Sequence, residues 1–270
     1  MNDNSSFKRP KDNWANGNLY EQYVGRWSRP VAREFLKWLA VPAGAQWLDV
    51  GCGTGALSQT ILEVAEPGGV TALDRSEAFV AFASSQIADK RVRFEVGDAQ
   101  TLRSDLGPFD AIVSGLVLNF IPQPEQALAG IKRLTRTGGL VAAYVWDYAE
   151  GMQIMRHFWD AAVALDPKVS DIDEVKRFPH SRPEPLMSLF QEAGFQHVEV
   201  RPIEVPTHFR DFDDYWSPFL GGQGPAPSYA MSLSEDARST LRERIRAGLP
   251  IQPDGSIQLQ ARAWGIKGIC

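Results

Sequence analysis

Three glycines in five residues, Gly51, Gly53 and Gly55, stand directly behind the apolar run of QWLDVGCGTGALS, Gln46 to Ser58. Glycine accepts positive φ and carries no Cβ, so backbone here can come very close to a bound ligand. Two ligands suit such a loop, a dinucleotide pyrophosphate and the sulfonium nucleoside S-adenosylmethionine. Gly51, Gly53 and Ala56 satisfy the looser G-x-G-x-x-G/A spacing of the first, so the glycines alone do not choose. Three carboxylates bear on the choice. Asp49, two residues ahead of Gly51, would repel a pyrophosphate but suits the amino-acid end of a cationic nucleoside, directly or through water. Asp74 lies about 20 residues beyond the loop, where an acid accepts from ribose hydroxyls of either ligand. Asp98, in VGDAQ, is placed to accept from an adenine amino group.

Elements must bring these residues to one edge. AQWLDVG, GVTALD, RVRFEVGD, FDAIV and LVAAYVW read as short strands, separated by the helical stretches ALSQTILEVA, SEAFVAFASSQI and PEQALAGIKRLT. Ser76 is a natural N-cap for the second of these helices. Strand and helix alternating in this way predict a mainly parallel sheet with helices on both faces. Ahead of it, Val31, Phe35, Leu36 and Leu39 form an amphipathic helix with Pro30 in its first turn. After Asp147 the alternation stops. GMQIMRHFWDAAVALDP reads as a helix, and a polar stretch follows to about Pro183. PEPLMSLFQEAGF is helical, HVEVRPIEV a strand, and SLSEDARSTLRERIRAGL an amphipathic helix capped by Ser234. GSIQLQARAWGIKG closes the chain as a long strand. The expected organisation is a polar, loosely ordered tail over residues 1–18 and one domain over 19–270. Segments at about 148–182 and 210–250 are expected as insertions over the strand ends, with the Gly- and Pro-rich PFLGGQGPAPSY a loop over the cleft or a linker.

The 270 residues are 44% hydrophobic and 23% charged with a net charge of -5, the composition of a globular domain without a basic field for nucleic acid. Two cysteines, Cys52 and Cys270, make no disulfide framework, and no Cys/His spacing fits a metal site. No apolar run reaches the length of a membrane span and the amino terminus carries no signal pattern, so a cytoplasmic enzyme acting on a small molecule is expected.

WLDVGCGTGALS, VTALDRSEAFV, VGDAQTL, FDAIVSGLVLNFIP and LTRTGGLVAAYVWD, in that order, resemble the successive motifs of class I S-adenosylmethionine-dependent methyltransferases. The resemblance is nearest to the small-molecule enzymes similar to ubiquinone/menaquinone-biosynthesis methyltransferases, and it is strongest over residues 20–147. It implies an α/β, doubly wound, mainly parallel seven-stranded sheet with an antiparallel C-terminal strand, a Rossmann-like methyltransferase fold. It implies S-adenosylmethionine as cofactor and S-adenosylhomocysteine as product. Gly51, Cys52, Gly53 and Gly55 would line the methionine end with Asp49 beside it. Asp74 would hold the ribose, Arg75 would flank the adenine, and Asp98 with the backbone of Ala99 would meet the adenine amino group. Ser114, Gly115 and Leu116 would pass under the sulfonium. YEQYVGRWSR resembles a segment that closes over the cofactor, with Tyr20, Tyr23 and Arg26 as candidates and Arg26 as the carboxylate partner.

Relatives often carry a His shortly after the fourth strand, where this chain has Leu118-Asn119-Phe120. Asn119 can orient a substrate but is no general base, so a base comes from elsewhere or none is needed. His157 and His180, both in the insertion, are the candidates. The substrate wall is expected from Trp146, Tyr148, Met152, Met155, Trp159 and Trp216, a set that suits a planar or apolar small molecule. Two other readings stay open, a non-catalytic S-adenosylmethionine-binding protein and an NAD-dependent oxidoreductase.

Overall fold

Period-two alternation along the strands builds two apolar cores from one sheet. The computed structural model describes residues 21–222 and 224–270. The expected tail over 1–18 and Tyr20 lie outside them. After a π-helical turn at Glu21–Gly25 the elements run α1 (Arg26–Leu39), β1 (Gln46–Val50), α2 (Ala56–Val64), β2 (Gly69–Asp74), α3 (Glu77–Gln86) and β3 (Val92–Val96). There follow β4 (Phe109–Gly115), α4 (Pro124–Leu134), β5 (Thr135–Trp146), α5 (Gln153–Leu165), the single turn α6 (Glu174–Arg177) and α7 (Pro183–Glu192). The chain ends with β6 (Gln196–Phe209), α8 (Phe212–Trp216), α9 (Pro225–Ser232), α10 (Glu235–Gly248) and β7 (Ile257–Ile269).

The strands form one seven-stranded sheet in the order β3-β2-β1-β4-β5-β7-β6. β1 to β5 pair in parallel, and β7 runs antiparallel to both neighbours. This is the doubly wound α/β sheet with an antiparallel C-terminal strand that the motifs implied. Trp47, Val70, Val113, Tyr144 and Trp146 face one core, which α1, α2 and α5 cover. Leu48, Leu73, Ile112, Ala143 and Val145 face the other, under α4 and α7. Ser76 caps α3 as expected, accepting from Phe79 N at 3.4 Å, and Ser234 caps α10, accepting from Ala237 N at 3.3 Å.

β6 and β7 outrun the rest of the sheet. β7 pairs with β5 only up to Ala263, opposite Trp146, whereas its pairing with β6 continues to Ile257. The overhang projects past the carboxyl ends of the parallel strands and carries α5, joined to it by a bridge between Met152 and Ala261. Two local expectations change. Pro30 sits inside α1 rather than in its first turn; its missing N–H falls where the chain passes out of the wider π turn, so α1 starts earlier than the proline indicated. PFLGGQGPAPSY is largely helical, a 3-10 turn at Ser217–Gly221 followed by α9, because Pro225 supplies a preset φ at the first turn of that helix.

Gly55 shows how tightly the first glycine loop is held. Its φ is +88°, and a Cβ there would stand 2.6 Å from Ile87 Cδ1 and 3.2 Å from Ala83 Cβ. Gly55→Ala is expected to destabilise the fold by about 2–3 kcal/mol through backbone strain and overpacking together. Urea unfolding measures this, and an unchanged midpoint would contradict it.

Candidate functional site

A cavity of about 560 Å³ lies over the carboxyl ends of β2, β1, β4 and β5. The strand order reverses between β1 and β4, the place where open α/β sheets open a crevice for ligands. The volume is that of a small-molecule site. Sheet order also gives the cavity two unlike ends. Asp74, Arg75 and Asp98, after β2 and β3, line one. Trp146, Tyr148, Met155 and Glu174, from β5 and the segments above it, line the other.

The glycine loop joins these ends. Gly51 N and Cys52 N donate to Leu73 O at 2.7 and 3.0 Å, and Gly55 N donates to Cys52 O at 2.8 Å. Gly53 N donates to Asp74 Oδ2 at 3.0 Å. A pyrophosphate is held by loop and helix N–H groups turned toward it, and here the four loop donors of Gly51, Cys52, Gly53 and Gly55 are already committed to the protein. The glycines have distinct reasons. A Cβ on Gly51 would lie 2.6 Å from Val117 across the switch point, whereas one on Gly53, with φ +52°, would meet nothing within 4 Å. Gly53 is thus the position where backbone borders open cavity. Gly55 is absent from the wall, since its bareness serves packing against α3.

Asp74 is doubly anchored, accepting from Gly53 N through Oδ2 and from Ser76 N at 2.8 Å through Oδ1. Each oxygen keeps a lone pair for a ligand donor. Asp98 accepts from Gln100 N at 2.8 Å, which fixes its exposed carboxyl at the mouth beside Ala99. Among the described lining residues Arg75 is the one cation.

Asp49 does not line the cavity. It is fully buried behind the loop, with Oδ2 accepting from Ser58 Oγ at 2.6 Å and Oδ1 without a partner among the described residues. Burial, reinforced by the Asp74 charge, pushes its carboxyl up to about 7. Direct contact with a ligand is therefore replaced by a role beneath the loop. Cys52 lines the cavity, but burial and then the charges of Asp49 and Asp74 push its thiol far above the ordinary value, which makes it a poor nucleophile.

Several expected site residues lie elsewhere. Arg26 donates to Asp214 Oδ1 at 2.9 Å and stacks over Trp27 and Phe209, with Nε and Nη2 buried without partners among the described residues, and it does not line the cavity. Tyr23 is buried against Phe219 behind the wall, although its neighbours Val24 and Ser28 line the cavity. Ser114 turns inward and donates to Val50 O at 2.9 Å, leaving Gly115 and Leu116 on the wall. Asn119 is off the wall between Val117 and Phe120, which do line it, and both its side-chain polar atoms are buried without partners among the described residues. Of the expected substrate residues, Trp146, Tyr148 and Met155 line the cavity. Met152, Trp159 and Trp216 are core residues off the wall; Trp159 shares the face of α5 that carries Met155 but lies one turn further on, where it donates to Glu174. His157 and His180 are not brought to the cavity. Burial lowers the His157 imidazole, with Asp160 opposing.

One ionisable group at the aromatic end had no expectation attached. Glu174 begins α6, is 1% exposed, and accepts a hydrogen bond from Trp159 Nε1 through Oε2. Its Oε1 has no partner among the described residues. Burial first, then the Asp173 charge, pushes the carboxyl up to about 8. In the polar run PKVSDIDEVKR an acid reads as solvated, and nothing in residue spacing marks this one as buried. Asp173 preceding it as a helix cap was the available signal.

The methyltransferase-domain family matches residues 42–194, from just ahead of β1 to just past α7. The ubiquinone/menaquinone biosynthesis C-methyltransferase of Methylobacterium nodulans is 29% identical over 171 residues, 57% of this chain and 67% of that protein. Trans-aconitate 2-methyltransferase of Deinococcus radiodurans is 33% identical over 130 residues, 48% of each chain. Among solved structures, phosphoethanolamine N-methyltransferase 2 of Haemonchus contortus, in complex with phosphomonomethylethanolamine and S-adenosylhomocysteine, aligns with a TM-score of 0.58. Its identity is 16%, over 95% of this chain and 57% of that one, a likeness of fold alone.

Proposed function

We propose that this chain, which belongs to the methyltransferase-domain family, transfers a methyl group from S-adenosylmethionine to a small aromatic or apolar metabolite. The observation that carries the choice of donor is the glycine loop. The N–H groups of Gly51, Cys52, Gly53 and Gly55 are spent on Leu73, Cys52 and Asp74, while the cavity beside them carries Asp74 and Asp98 against Arg75, the single lining cation among the described residues. Such a wall repels a pyrophosphate and attracts a sulfonium. The open face of Gly53 and the lone pairs left on Asp74 fit the donor's methionine and ribose parts.

When bound, the cofactor supplies a methyl group already activated for in-line displacement. The chain's own work is then positional. Asp74 would hold the ribose hydroxyls, Asp98 the adenine amino group, and Arg75 the face of the base. Asp49 holds the helix behind the loop through Ser58. Trp146, Tyr148 and Met155 would exclude water and hold the acceptor in line, an alignment worth up to about 7–11 kcal/mol in favourable cases. The names of the relatives fit this reading in spanning ring and small-acid acceptors, and the aromatic wall favours the former.

Isothermal calorimetry with S-adenosylmethionine tests the reading. Saturable binding with a dissociation constant of roughly 1–100 μM is expected, and NADH should give no heat. A folded protein that binds no S-adenosylmethionine at roughly millimolar concentration would sink it.

A further inference from the structure

We propose that Glu174 receives the methyl acceptor: its carboxyl takes a hydrogen bond from an O–H or N–H group on a small, uncharged aromatic molecule and removes that proton as the methyl group arrives. The proposal rests on the methyl-transfer reading above and assigns the acceptor end of the same cavity.

The carboxyl is held by Trp159 and by the clamped turn that carries it. Asp173 caps α6 by accepting from Val175 N at 3.0 Å, and Arg156 grips both Asp173 oxygens at 2.8 Å from α5. That clamp fixes the single turn that carries Glu174. Trp159, also on α5, donates to Oε2 and orients the carboxyl plane. Oε1 is then the atom left for a ligand, in a residue that lines the cavity beside Tyr148, Met155 and Trp146. Tyr23, behind the wall, senses the same charge: its buried hydroxyl has no partner among the described residues and is pushed upward by burial and by Glu174.

An acid buried in this way is costly unless something bonds to it. Its charged neighbours do not satisfy it. Asp173 repels it, and Arg156 is engaged by Asp173. Arg177 faces it at a distance, with its guanidinium over the ring of Phe178. A group kept buried at that cost with an open oxygen calls for a donor from the ligand. The same surroundings define the ligand. Arg75 is the one lining cation among the described residues and lies at the opposite end of the cavity, so a carboxylate or phosphate acceptor would meet Glu174 uncompensated. A neutral phenol-like or arylamine-like molecule meets aromatic walls and one proton acceptor.

In the step itself, a lone pair of the acceptor heteroatom forms the bond to the methyl carbon. The carbon–sulfur bond breaks with its pair remaining on sulfur. The X–H bond breaks with its pair remaining on X, and the proton passes to Glu174 Oε1. The site then holds a neutral carboxyl and a neutral sulfide where it held a carboxylate and a sulfonium, so charge in the buried site is conserved as zero.

The test uses the protein loaded with S-adenosylhomocysteine at about pH 9, above the value of about 8 to which burial pushes Glu174, so that its carboxylate is ionised while phenol is still largely neutral; phenol, anisole and toluene are titrated in turn and followed by ligand-observed NMR. Phenol is expected to bind at least about tenfold more tightly than anisole or toluene, the discrimination of one hydrogen bond to a charged group. In Glu174→Gln that advantage should vanish while affinity for S-adenosylhomocysteine stays within about twofold. The reason is local: the Trp159 N–H requires the amide oxygen, so the amide NH2 replaces Oε1 and faces the phenol with a donor. Phenol binding no better than anisole in the native protein, or keeping its advantage in Glu174→Gln, overturns the proposal. The native comparison stands even if the variant fails to fold. Failure of the native protein to bind S-adenosylhomocysteine is a separate result, since it removes the methyl-transfer reading and with it this assignment.

Discussion

Asp74→Ala should weaken S-adenosylmethionine binding by at least about a hundredfold, read as the dissociation constant by calorimetry. Two contributions add. The carboxylate would accept from two ribose hydroxyls, and charge-assisted hydrogen bonds are worth roughly 1.5–3 kcal/mol each. The same side chain also anchors Gly53 N and Ser76 N, so its removal frees both the glycine loop and the start of α3. Urea unfolding of the variant separates the two effects, because loop release lowers stability whereas lost ribose contacts do not. Near-native affinity in Asp74→Ala would remove the ribose role and weaken the case for the cofactor orientation.

The sheet was legible because each strand had a simple reason to be one. Trp47 and Leu48, or Val113 and Ile112, are neighbours in sequence that must point to opposite faces, so apolar runs bounded by glycine turns read as strands covered on both sides. The donor end of the site was legible for a related reason. Gly53, Asp74 and Asp98 sit at strand ends, where sequence position and spatial position coincide. The acceptor end obeys no such rule. Met155 reaches the cleft from the first turn of α5, whereas Met152, just ahead of that helix, is tied by a bridge to Ala261 on the overhang, a pairing between residues far apart in sequence. Arg26 is drawn off the wall by Asp214, which lies 188 residues away and beyond any local pattern. Glu174 escaped altogether, since its burial is created by Trp159 and an Asp173–Arg156 clamp that spans two elements. Local periodicity finds elements and their ends; it does not find a charge that tertiary packing has enclosed.

Enclosed charge has a consequence for stability. The cofactor-free protein should lose stability as pH rises from about 5 to 8. Asp49 and Glu174 have folded values of about 7 and about 8, against ordinary values of 3.8 and 4.5. Between those limits the native state binds more protons than the unfolded chain, so the linkage slope is negative and rising pH favours unfolding. Each group contributes up to about 1.4 kcal/mol per pH unit inside its window, and on the order of 4 kcal/mol across it. Stability is therefore fullest below about pH 4 to 4.5 for these two groups and is lost through pH 7 to 8. His157 works the other way. Its lowered value means that rising pH adds stability as pH climbs toward 6.5, which offsets part of the slope in that range only. Asp89, Asp214 and Asp254, all lowered, act below the window. Urea unfolding at pH 5.5, 7 and 8.5 measures the slope, and Glu174→Gln should remove the portion that extends toward pH 8. A stability that is flat or rising from pH 7 to 8.5 in the native protein would show that Glu174 is not held protonated, and one that is flat or rising from pH 5.5 to 7 as well would show the same of Asp49. The ligand supplies the complementary observation. A cation in the cavity favours the ionised form of Glu174 at its wall and of Asp49 just behind it. The stabilisation conferred by S-adenosylmethionine should then grow with pH more steeply than that conferred by S-adenosylhomocysteine, which lacks the sulfonium charge, since only the former replaces a proton's charge with its own.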